Sequence, residues 1–121
     1  MKRLLAVLLA VMMVLSLSAV AFADGSGFTG SYLMGTGSAT GNYYNFGNAV
    51  CTIVNQVTGA NLTVNATGGS TENARLLGSG ENEFAMIQSD VFSYAHQGVE
   101  LFDGNPITNF KAVTACYPEM V

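Results

Sequence analysis

"VNATGGSTENARLLGSGENEFAMIQSDVFSYAHQG", residues 64–98, is the stretch that decides the fold. It opens inside an alternating apolar run, Leu62, Val64 and Ala66, which predicts a strand. Gly68 and Gly69 turn the chain, and residues 70–77 read as a short helix with Ala74 and Leu77 on its inner face, ended by Gly78 and Gly80. Residues 84–87 are a short apolar run, read as a buried strand. Ser89 or Asp90 then caps a helix to about Gln97, which Gly98 closes. Strand, helix, strand, helix in so short a span predicts βαβ units and a parallel sheet.

The same alternation continues outward. Upstream, Ser31–Gly35 reads as the first strand, with Tyr32 and Met34 alternating with smaller residues. Residues 41 to about 57 read as a helix, because Tyr43, Phe46, Val50, Ile53, Val54 and Val57 recur at three- and four-residue spacing, and Gly59 stops it. Downstream, residues 110–115 read as a further strand after the turn "DGNPITN". No internal repeat or linker interrupts this order. The expected fold class is α/β, a mostly parallel sheet flanked by helices. Two glycosylation triplets, at Asn61 and Asn65, fall on a predicted strand and read as chance matches.

In an open parallel sheet, the loops that leave the carboxyl ends of the strands share one edge, and ligands bind there. Three small polar loops meet that description: residues 35–41, 67–73 and 88–90. The first, within "MGTGSATGNYY" (residues 34–44), is not a dinucleotide fingerprint. Its glycines are spaced one residue too far apart, and no acidic residue lies between Asn55 and Leu62. No Lys follows, so a phosphate-binding loop fails as well. What remains is a turn with Thr36, Ser38 and Thr40 hydroxyls and backbone N–H groups at a helix start, suited to a carboxylate or other small anion. In the second loop, Gly68 and Gly69 permit close approach, Ser70 is placed to cap the following helix, and Glu72 and Asn73 lie in its first turn. The third delivers Gln88, Ser89 and Asp90. Gln88 suits a ligand amide or carboxylate, and Asp90 suits either a ligand ammonium or its own helix cap.

Catalytic constellations are weak. The single histidine, His96, sits near a predicted helix end and reads as a surface group or a helix C-terminal charge. No cysteine and histidine cluster has metal-ligand spacing. Cys51 falls about ten residues into its helix, roughly 15 Å below the loop edge. Cys116 ends the last predicted strand on that edge, too far for a disulfide, so two free, buried thiols are expected.

The N-terminus predicts export. Met1-Lys2-Arg3 is a positive start, residues 4–15 are unbroken apolar sequence, and Ala21-Phe22-Ala23 precedes Asp24 as a small-residue cleavage site. Residues 1–23 are therefore expected to be a signal peptide and residues 24–121 one small domain. No cysteine stands near residue 24 to carry a lipid. The mature part keeps two bases, Arg75 and Lys111, against eight acids, a net charge of −6. That balance argues against a nucleic-acid partner.

"MGTGSATGNYYNFGNAV", "VNATGGSTENARLLGSGENEFAMIQSDVFSYAHQG" and "FKAVTACYPE", in this order after a signal peptide, resemble the TAXI family of TRAP-transporter solute receptors. The resemblance implies a periplasmic-binding-protein fold of two α/β lobes around a cleft, with a small acidic solute such as glutamate or a dicarboxylate inside. It implies a periplasmic or secreted protein, two membrane permease subunits as partners, uptake driven by an ion gradient, no cofactor and no catalysis; a monomer is expected. Carried over, the lobe-one cleft would be lined by Thr36, Gly37, Ser38 and Tyr43, by Ser70 and Asn73, by Gln88, Ser89 and Asp90, and by Tyr117 and Glu119. The sequence ends after "YPEMV", where the family crosses into its second lobe, so residues 24–121 are expected to be lobe one. Rival readings are a small exported hydrolase using Asp90, His96 or Glu119, and an exported structural or adhesive domain.

Overall fold

The computed structural model describes residues 30–118; the expected signal peptide, residues 1–23, and Glu119 lie outside the described residues. Strands β1 (Ser31–Gly35), β2 (Asn61–Asn65) and β3 (Phe84–Ala85) form one sheet in the order β2-β1-β3. Both pairings are parallel, with Ser31 opposite Asn61, Gly35 opposite Asn65, and Met34 opposite Phe84. Parallel neighbours need crossover connections, and helices supply them. Helix α1 (Asn42–Thr58) joins β1 to β2, and α2 (Ser70–Ser79) joins β2 to β3. Helix α3 (Ser89–Gln97) and a 3-10 turn (Glu100–Phe102) follow. The chain is thus a small α/β lobe, as the strand and helix alternation predicts.

Each helix stops at a glycine in the left-handed region: Gly59 at φ 73°, Gly80 at φ 78° and Gly98 at φ 69°. Gly78, expected to end α2, lies inside it instead. Its missing side chain admits Ile107, whose Cγ2 stands 2.5 Å from where a Cβ would be. The stop falls to Gly80, whose N–H reaches back to the carbonyls of Leu76 and Leu77.

The hydrophobic core has two parts. Met34, Cys51, Leu62 and Met86 are buried between α1 and the sheet, with Tyr32, Tyr43, Val50, Val54 and Val64 packed on them. Ala74, Ala95, Phe102 and Phe110 form the second part, under Leu77, Ile87, Val91, Phe92 and Ile107. A buried Leu or Met side chain contributes about 1.5–3 kcal/mol by leaving water. The face that α1 buries differs from the expected stripe. Val50 and Val54 pack inward, but Ile53 and Val57 are 61% and 76% exposed. The reason is Gly47, which is buried; a Cβ there would lie 2.5 Å from Thr36 Cγ2, so the helix turns its smallest residue to the end of β1.

Residues 110–115 do not form the expected strand. Among the described residues the sheet has three strands, none of which pairs with this segment. Only Phe110 is buried, in the second part of the core, and residues 111–118 are exposed. Alternating apolar residues favour a strand only where a neighbouring ladder accepts them.

Candidate functional site

The three polar loops do meet. A cleft of about 410 Å³ opens at the carboxyl ends of the strands. Gly37, Ser38 and Gly41 line it from the first loop, with Asn42 and Tyr43 at the start of α1. Gly68, Gly69, Ser70 and Thr71 line it from the second, and Gln88 and Val91 from the third. Adjacent loops are tied by backbone, since Thr67 N–H donates to Gly37 O at 3.1 Å. A second depression, about 470 Å³, lies away from these loops and is lined by residues such as Arg75, Pro106 and Asn109.

The first loop is built to hold its shape. Thr36 is wholly buried, and its N–H and hydroxyl both donate to Asn65 O, at 3.0 and 2.8 Å. Gly41 N–H donates to Ser38 O at 2.8 Å, closing the turn before α1. Ser38 itself is exposed, within 3.2 Å of the Thr40 hydroxyl.

In the second loop Ser70 does not cap its helix. The cap is Gly69, at φ 102° and ψ −159°, a conformation open essentially to glycine alone. Ser70 is buried and reaches across to the third loop, accepting Gln88 N–H at 3.0 Å and lying 3.5 Å from Gln88 Oε1. Two of the backbone N–H groups expected to face a ligand are already used. Gly68 N–H donates to Glu72 Oε2 at 2.6 Å and Gly69 N–H to Thr67 Oγ1 at 3.2 Å. Helix geometry leaves the N–H groups of Ser70 and Thr71 without an intrahelical partner at the cleft wall.

Of the expected site residues, Gly37, Ser38, Tyr43, Ser70 and Gln88 line the cleft. Thr36 and Asn73 lie beneath it, wholly buried, with their polar atoms bonded to the protein. Ser89 and Asp90 are exposed in the first turn of α3, outside the lining. Asp90 Oδ1 accepts Val91 N–H at 2.8 Å. Its charge there also complements the helix dipole. Gln88, not Ser89 or Asp90, is the N-cap of α3. Tyr117 meets the rim through its ring, edge-on to Tyr43 at 6.2 Å and to Phe46 at 5.6 Å. Asn42, Thr71 and Val91 line the cleft without having been singled out. The signal for them was their place in the first turn of a helix that opens from one of the three polar loops.

No charged side chain is among the residues that line the cleft. Arg75 donates to Leu101 O at 2.6 Å and sits 5.6 Å from the Phe102 ring centre. His96 is half-buried in the last turn of α3, at the helix end expected of it, where it stacks on Phe92 at 4.3 Å and meets Phe110 edge-on at 4.9 Å. Among the described residues no three of His, Cys, Asp and Glu are placed to hold a metal ion. Both cysteines are free; Cys51 is buried as expected, but Cys116 is exposed because its segment joins no sheet. Burial pushes the Cys51 thiol above its ordinary value, against a smaller lowering by a backbone hydrogen bond.

A parallel α/β lobe with an open, uncharged, hydrogen-bonding cleft at its strand ends is an arrangement for binding a small solute. The family model for NMT1-like proteins matches residues 34–121, and the chain belongs to the NMT1-like family. This is a periplasmic solute-binding family related to the binding proteins of TRAP and ABC transporters, and its role is extracytoplasmic solute binding in association with membrane transporter components. No helix among the described residues is long and apolar enough to cross a membrane.

Proposed function

We propose that this chain is lobe one of the extracytoplasmic solute-binding subunit of a tripartite ATP-independent transporter of the TAXI type. Residues 1–23 act as its signal peptide and residues 24–121 form the lobe. The solute is small and acidic, glutamate-like or a dicarboxylate, and passes to membrane permease subunits. Ser38, Tyr43, Ser70 and Gln88 contact it, and Tyr117 flanks it.

The observation that carries this reading is the meeting of three loops in one cleft, each of which opens directly into a helix N-terminus. Each such N-terminus favours an anion by about 0.3–1 kcal/mol, more where partly buried. The nearby carboxylates Glu72 and Asp90 keep their charge but stand outside the lining, hydrogen-bonded to Gly68 N–H and Val91 N–H. With no cation in the lining, the lobe supplies dipoles and hydroxyls, which suit a small anion such as a carboxylate.

Calorimetric titration with L-glutamate and with succinate tests it, in the chain joined to a second lobe. Ser38→Ala and Gln88→Ala are expected to weaken binding with little loss of folding. Unchanged affinity in both variants would remove the solute from this cleft. Tighter binding of L-glutamine than of L-glutamate would refute the acidic class.

A further inference from the structure

Asn73 has no exposed surface, yet every polar atom of its side chain is used. Its Nδ2 donates to Thr36 O and to Met86 O, both at 2.7 Å. Its Oδ1 accepts the Thr67 hydroxyl, also at 2.7 Å. These three partners stand at the carboxyl ends of different strands: Thr36 directly follows β1, Met86 directly follows β3, and Thr67 lies two residues past β2. One amide therefore fastens all three loops of the cleft at their roots.

The chemistry admits few substitutes. An amide offers two N–H donors and a carbonyl acceptor on one short stem. Aspartate lacks both donors, and glutamine adds a methylene to a closed site. The sequence around it makes room as well. A Cβ at Gly35 would lie 2.6 Å from Asn73 Oδ1, so β1 must end in glycine for the amide to reach across.

We propose that Asn73 is a positioning residue of the cleft: it sets the separation of the three loops and does not itself touch solute. The proposal rests on reading this cleft as the solute site, and its test separates the two. Amide hydrogen exchange is measured by NMR on the full chain and on Asn73→Ala, Thr67→Val and Thr67→Ser. The cleft amides are Thr67, Met86 and Gln88, bonded to Gly37 O, Gly35 O and Ser70 Oγ. The reference amides are Gly59 and Asn61, bonded to Asn55 O and Gly30 O.

Asn73→Ala is expected to speed exchange at the cleft amides by more than about tenfold and at the reference amides by less than about twofold. Thr67→Val should give a smaller rise at the same cleft amides, and Thr67→Ser, which keeps the hydroxyl, should restore wild-type rates. A uniform rise across both sets, or no rise at the cleft amides, overturns the proposal. If Asn73→Ala does not fold, the Thr67 pair decides by the same criterion. L-glutamate is titrated into the same wild-type sample joined to a second lobe. Selective loosening without binding of glutamate, or of succinate titrated in the same way, upholds the positioning role and overturns the acidic-solute reading instead.

Discussion

Asn55, on α1, grips the backbone of Leu62 in β2 as a neighbouring strand would. Its Nδ2 donates to Leu62 O at 2.9 Å, and Leu62 N–H donates to its Oδ1 at 2.7 Å. Because β2 is an outer strand of the sheet, this side chain satisfies groups that would otherwise invite edge pairing. Asn55→Ala should therefore cost about 1–3 kcal/mol, the cost of leaving part-buried polar groups unpaired. Asn55→Asp, which keeps only the acceptor, should fall between. Urea denaturation midpoints check both, and a midpoint for Asn55→Ala equal to wild type would contradict the role.

Two glycines should fail for different reasons. Gly69→Ala meets no atom within 4 Å, so its expected loss comes from backbone strain alone. That loss is about 1–3 kcal/mol. Gly47→Ala brings a Cβ to 2.5 Å from Thr36 Cγ2. Thr36→Ser removes that methyl group and keeps the hydroxyl bonded to Asn65 O. The Gly47→Ala, Thr36→Ser double variant should thus lose less stability than the two changes summed, by about 0.5–3 kcal/mol. Additive losses in thermal unfolding would show that helix and strand end do not meet there.

The two thiols should differ sharply in reactivity. Iodoacetamide is expected to label Cys116 in the native protein and to reach Cys51 only on unfolding, because Cys116 is exposed and Cys51 is 5% exposed. Mass spectrometry of peptides after brief labelling reads this directly; equal labelling would refute it.

Cys51 also predicts a pH dependence. Burial raises its thiol above the ordinary 9.0, so the folded chain keeps a proton that the unfolded chain releases. Its contribution is complete below the ordinary value and is lost as pH rises through the raised one. The stability of wild type should fall more steeply than that of Cys51→Ala between about pH 8 and 10. Parallel pH profiles in urea denaturation would sink this expectation.

Export predicts a mature N-terminus at Asp24. Intact-mass measurement of periplasmic or secreted material should show the loss of residues 1–23, with Lys2 and Arg3 among them. A full-length mass would count against it.

Much of the fold was legible because its signals are local. Ser31–Gly35 is the strand that its alternation predicts, and Gly59 and Gly98 stop their helices where the apolar periodicity ends. The meeting of three loops was legible too, since parallel topology leaves them no other edge. Helix α1 shows where periodicity fails. Its apolar residues form one stripe, but the buried face is rotated toward Gly47 and Cys51, which leaves Ile53 and Val57 exposed. The close approach of Gly47 to Thr36 sets that rotation.

The sequence by itself determined the order and kind of the elements from β1 to α3, because backbone preferences act between residues a few positions apart. The tertiary structure decided what individual side chains do. Ser70 reads as a helix cap and instead joins Gln88; Asn73 reads only as a first-turn polar group and is found bonded to Thr36 and Met86; residues 110–115 read as a strand and lie in no sheet. In each case the deciding partner, or the lack of one, lies far along the chain. A side chain's hydrogen-bonding capacity is written in its type, but which distant group it meets is fixed only when the strands bring their ends together.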